Sequence, residues 1–113
     1  MTSVVFFRDS SSHFVGFSVK GHSGYAVEGS DIVCSAVSSC CELVLNQLCD
    51  SFGYDIDVSI DSQSAAVGCD SRRACKTKES KVIISNVLDG FYRTVNDIVK
   101  EYPRFIKCSI TEV

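Results

Sequence analysis

Between Gly21 and Ser39 the chain reads GHSGYAVEGSDIVCSAVSS. His22 lies among glycines, and twelve residues later Cys34 stands near the start of an apolar run. A thiol and an imidazole are the two groups that nucleophilic acyl chemistry needs, one to attack a carbonyl and one to move protons. A cysteine in the first turn of a helix also meets unpaired backbone N–H groups and the positive end of the macrodipole, which favour thiolate over thiol. With Asp31 as the N-cap, Cys34 is the third helical residue. The Asp31 carboxylate helps if it caps N–H groups or steers His22, and opposes ionisation if it faces the sulfur. Ser38, one turn beyond Cys34, either lines the same site or bonds back to the Cys34 carbonyl. Gly21, Gly24 and Gly29 let the connecting loop bend round a peptide or close over it, and they also serve a plain strand-to-helix turn. Tyr25 in that loop either touches substrate or simply packs, and Glu28 and Asp31 are the candidates for a third, orienting residue. The competing reading makes Cys34 a core thiol, one of seven, of which Cys40, Cys41 and Cys49 share its helix.

Bringing His22 to Cys34 takes a strand ending at Lys20–Gly21 and a helix starting near Asp31. Val15, Phe17 and Val19 alternate with Gly16, Ser18 and Lys20, and together with VVFF at 4–7 and the polar turn RDSSS they predict a β-hairpin. Val33, Val37, Cys40, Val44 and Leu48 then fall at steps of three and four, the spacing of one helical face, with a stop expected near Phe52-Gly53. Tyr54, Ile56, Val58 and Ile60 alternate with polar residues, and Ala65, Val67 and Cys69 continue that rhythm past the turn DSQS, predicting a second hairpin. Residues 70–80 read as a loop or helix lead-in. Val82, Ile83, Val87, Leu88, Phe91, Val95, Ile98 and Tyr102 trace a second long helix that Pro103 ends, and Ile106, Cys108 and Ile110 share one face of a final strand. The order β-β-α-β-β-α-β predicts one α+β domain over 1–113, with two helices packed on a mixed or antiparallel sheet.

A length of 113 residues with 45% hydrophobic content can bury a core without disulfide or metal staples. The net charge of −3 argues against a general nucleic-acid binder, and no direct nucleic-acid contact is expected. MTSVVFFRDSSS has too short an apolar stretch for a signal-peptide core or a membrane span, so a cytoplasmic protein with no membrane partner is expected. Seven cysteines is an odd count and none form Cys-x-x-Cys, so no disulfide framework, metal site or cofactor is expected. The pattern assigns no role to Cys40, Cys41, Cys49, Cys69 or Cys75. Residues 72–81 carry five cations and one anion, either as a solvated loop or as a surface for ribosomal RNA or an acidic partner.

The run Gly21-His22-x-Gly24 … Gly29-x-Asp31-Ile32-Val33-Cys34-x-Ala36-x-Ser38 closely resembles the signature of the ribosomal-processing cysteine proteases, the Prp family. The resemblance implies a small cytoplasmic, homodimeric endopeptidase whose substrate is a ribosomal protein precursor. The reaction would remove an N-terminal extension from large-subunit ribosomal protein twenty-seven. It makes His22 the catalytic histidine, Cys34 the nucleophile and Ser38 a further active-site position. The family's loop between His22 and Cys34 commonly differs in sequence from SGYAVEGS, and the cysteine-rich helix and the basic segment 70–80 are not part of the signature. Two other classes stand beside this one: a non-catalytic ribosome-assembly or protein-binding module of the same fold, and a thiol-redox or metal protein built on Cys40-Cys41 or on Cys69 and Cys75.

Overall fold

The computed structural model describes residues 1–21 and 30–113. Strands β1 (Thr2–Arg8) and β2 (Phe14–Lys20) pair antiparallel, as their alternation predicts. Asp9 shapes the turn between them, because its Oδ1 accepts from the backbone N–H of Ser11 at 3.0 Å and of His13 at 3.1 Å. Its Oδ2 lies 2.7 Å from Nζ of Lys81, which ties the turn to the second helix. Burial alone would raise the Asp9 carboxyl, yet Lys81 and the Ser11 and His13 donors together hold it well below the usual carboxylate range.

Helix α1 spans Ser30–Asn46 and runs on into a π-helical turn, Gln47–Ser51, before Phe52 and the left-handed Gly53 at φ 70° end it. Strands β3 (Asp57–Asp61) and β4 (Ala66–Asp70) form the second hairpin. After a short 3-10 turn, α2 (Lys78–Glu101) starts at the N-cap Thr77, whose side chain and that of Ser80 form a reciprocal capping box. Strand β5 (Ile106–Glu112) closes the chain. The fold is α+β, with a five-stranded mixed sheet in the order β3-β4-β2-β1-β5, in which only the β1–β5 pair is parallel.

Both helices cover one face of the sheet. Val4, Phe6, Phe17 and Val19 meet Val33, Val37, Val44 and Leu48 of the first helical segment and Ile84, Leu88, Phe91 and Val95 of α2 in one core. Phe6 and Leu48 are fully buried, and each contributes roughly 1.5–3 kcal/mol relative to exposure. The stretch Asp31–Ser51 is long and apolar enough to cross a membrane by length and composition alone, but here its apolar stripe is the one packed on the sheet.

Four expectations need correcting. The helix already includes Ser30, so Asp31 lies inside the first turn rather than capping it, and Cys34 is the fifth residue of α1. Ile84, not Ile83, is the fully buried residue of the Val82-Ile83-Ile84 run, and Val82 is exposed. Tyr54 and Ile56 precede β3 instead of belonging to it. Two predicted hairpins imply two exposed hairpin edges, yet the first is interior to the sheet, flanked by β4 and β5, and the edge strands are β3 of the second hairpin and β5. In the basic segment, Arg72 pairs with Asp70 at 2.8 Å, Arg73 with Asp55 at 2.8 Å, and Lys81 with Asp9. Most of its charge is thus neutralised within the fold, as in a solvated structural segment.

Candidate active site

Strand β2 ends at Lys20, and Gly21 is fixed where it leaves the sheet, its N–H donating to the carbonyl of Ala65 in the β3–β4 turn at 2.9 Å. A Cβ at position 21 would stand 3.2 Å from both the Cβ and the carbonyl oxygen of Ala65, so glycine permits this close approach. On the other side, the early turns of α1 carry Cys34 and Ser38, four residues apart and therefore on one face. Gly21, Cys34 and Ser38 line the same groove, of about 400 Å³, between α1 and the second hairpin. His22, Gly24, Tyr25, Glu28 and Gly29 lie outside the described residues.

Two kinds of side chain shape this groove. Ser38, Glu42 and Asn46, at steps of four along α1, form a polar rim. Val37 and Leu45 of the helix face Ile60 and Val67 of the hairpin and make the apolar interior. Ile60 is 72% exposed although it is a large aliphatic residue, and β3 is an edge strand of the sheet. Cys34 is half-buried, and its Sγ lies 3.5 Å from Oγ1 of Thr2 at the start of β1. As the fifth residue of the helix, Cys34 has its own N–H within the helical ladder. Helical side chains lean toward the N-terminus, however, so the sulfur overlies the first turn.

The seven thiols differ in their surroundings. Burial, with the adjacent Cys40 adding to it, pushes Cys41 at the groove's base up to about 11. Burial, followed by the neighbouring Cys49, Cys41 and Asp70, pushes Cys69 up to about 12. Burial likewise raises Cys49, Cys75 and Cys108. Cys40 is half-buried against the core. Among the described residues no group of three His, Cys, Asp or Glu side chains converges as a metal site would require. These surroundings predict selective chemistry: limiting iodoacetamide near neutral pH, followed by peptide mapping, should label Cys34 first. Prior labelling of Cys40 or Cys41, or reaction of Cys34 only after denaturation, would make Cys34 a core thiol.

Sequence reasoning found Cys34, Ser38 and Gly21 because they adjoin along the chain. It missed Thr2, Ile60 and Val67, which arrive from three other strands. Thr2 did leave a trace, as the one polar member of the buried row Thr2, Val4, Phe6. Ile60 left none, since it alternates with acidic and serine residues just as Val58 does.

The model of the family described as "Cysteine protease Prp" matches residues 1–107. The chain belongs to this family. It is accordingly a cysteine protease, and its fold agrees with solved structures throughout. The crystal structure of SMU.848 from Streptococcus mutans superposes with a TM-score of 0.83 at 20% identity, covering 100% of this chain and 96% of that one. The ribosomal processing protease Prp from S. aureus in complex with a substrate peptide gives 0.84 at 17% identity, covering 98% of this chain and 100% of that one. The same S. aureus protease with a covalently linked product peptide gives 0.80 at 16% identity, with the same coverage. No curated protein matches the chain.

Proposed function

We infer that residues 1–113 act as one ribosomal-processing endopeptidase domain, in which Cys34 attacks a peptide carbonyl and His22 handles the protons. The observation carrying this reading is the shared groove. Cys34, Ser38 and the residue immediately before His22 line one cleft that is open to solvent and large enough for a peptide. That Prp structures from S. aureus hold a substrate peptide and a covalently linked product peptide supports the same class of ligand here.

Thiolate attack gives a tetrahedral intermediate, whose collapse expels the amine, protonated by His22, and leaves an acyl-enzyme on Cys34. Water activated by His22 then releases the acid. The negative oxygen needs donors that are already in place. The N–H groups of Ser30, Asp31 and Ile32, which an α-helix leaves without intrahelical acceptors, are the candidates nearest Cys34 along the helix. Gly24, Tyr25 and Gly29, with Asp31 of the first turn of α1, complete the proposed peptide-contacting residues. The apolar interior formed by Val37, Leu45, Ile60 and Val67 favours a substrate with a large apolar side chain beside the scissile bond.

The substrate assigned to this chemistry is a ribosomal protein twenty-seven precursor with an N-terminal extension, cleaved in the cytoplasm. A homodimer fits the exposed edge strand β3, which a second copy would shield. The reaction is tested by incubating the protein with the precursor from the same organism and reading the products by mass spectrometry. A single internal cut that leaves a shortened mature protein is expected. An intact precursor bound without cleavage would establish the non-catalytic binding module instead.

A further inference from the structure

The row Thr2, Val4, Phe6 faces the helices, and a strand so placed ordinarily carries apolar residues along its whole inward side. Thr2 breaks the pattern. It is only 2% exposed, yet it brings a hydroxyl into the core-facing row, and that hydroxyl meets the sulfur of Cys34 at 3.5 Å. The residue is held firmly, since its N–H donates to the carbonyl of Phe105 at 2.9 Å and it pairs with Ile106 across the parallel β1–β5 ladder. The next residue, Ser3, pairs with Lys20 of β2, so Thr2 sits at the same end of the sheet as Gly21. Buried polar groups are rarely placed without a partner, and places where a local rule is broken tend to be functional sites.

We propose that Thr2 is a positioning residue for the nucleophile, its hydroxyl donating to the sulfur of Cys34 and holding it toward the groove. This rests on the reading of Cys34 as the attacking group. The contact suits both protonation states of the thiol. A neutral S–H can donate to Oγ1. Once the proton has left, sulfur can only accept, and rotation of the threonine hydroxyl turns it into the donor. The charged side chains on the adjoining part of α1, Asp31 and Glu42, are carboxylates and supply no donor when ionised, and Ser38 lies at the solvent-facing rim. Thr2 offers a donor from the sheet side, fixed by backbone bonds on a strand rather than carried on a loop.

Thr2→Val keeps the shape of the side chain and deletes only the hydroxyl, while Thr2→Ser keeps the hydroxyl and deletes only the methyl. Two readouts separate positioning from packing: the rate at which limiting iodoacetamide alkylates Cys34 at fixed neutral pH, and the division of peptide-cleavage kinetics between kcat and KM. Thr2→Val is expected to slow both alkylation and kcat about three- to tenfold with KM unchanged, the size expected for losing one ordinary hydrogen bond. Thr2→Ser is expected to recover most of that loss. A purely structural role predicts the reverse order, because valine suits an apolar row better than serine does. Thr2→Ala serves as a second hydroxyl-free variant should Thr2→Val lower the Tm, and it too must slow alkylation. Alkylation by Thr2→Val at the wild-type rate, or Thr2→Ser as slow as Thr2→Val, overturns the proposal. Because alkylation needs no peptide, a wild-type protein that cuts nothing would count against the protease reading while leaving this comparison decisive.

Discussion

Cys34→Ala is expected to abolish processing of the extended ribosomal protein and leave the fold unchanged. The substitution removes one sulfur from a half-buried position on the groove side of α1. Alanine has the highest helix propensity, and the core residues of the helix, Val33, Val37, Cys41, Val44 and Leu48, keep their packing. Thermal unfolding should therefore shift by no more than a few degrees. With Cys34 as the proposed nucleophile, its loss stops the covalent route altogether, so cleavage should fall to background while the peptide still binds. Cys41→Ala supplies the contrast. That thiol is buried at the base of the same groove and held protonated at neutral pH, so its loss should cost some stability and leave the chemistry in place. Turnover by verified Cys34→Ala protein at the wild-type rate would remove the protease assignment from this cysteine.

The element order was legible because each segment carries its own period. Val15, Phe17 and Val19 alternate, α1 repeats at three and four, and the turns are marked by serine, aspartate and glycine. Partner choice was not legible, because alternation tells a strand which face is buried and says nothing about its neighbour. Placing β5 parallel to β1 leaves the first hairpin interior to the sheet, and no feature of VVFF or of IKCSI announces that pairing. The choice between Ile83 and Ile84 failed for a different reason. Three aliphatic residues in succession leave the helical phase undetermined over one turn, and only packing on the sheet selects Ile84. The site divides the same way. Cys34, Ser38 and Gly21 were recoverable from connectivity, whereas Thr2 reaches Cys34 from a strand 32 residues earlier and depends on the sheet order for its position.

His22→Ala is expected to lower turnover by at least about 100-fold, the lower end of what a positioned acid–base group contributes. His22 follows Gly21 directly, and Gly21 is anchored to the hairpin turn while lining the groove that holds Cys34. The loss should appear in kcat rather than KM, since the proton is moved during bond making and breaking and the apolar interior that seats the peptide is untouched. On the proposed dyad, Cys34 should also alkylate more slowly in this variant, because the imidazolium proposed to favour its thiolate has gone, while labelling of cysteines 40, 41, 49, 69, 75 and 108 should hardly change. The two measurements constrain each other. Slower turnover with unchanged alkylation would give His22 the acid role alone, with the thiol ionised by other means. Slower alkylation with unchanged turnover would make ionisation of Cys34 irrelevant to the rate. Turnover close to wild type would end the dyad reading, and the search for the base would then turn to Asp31 in the first turn of the helix.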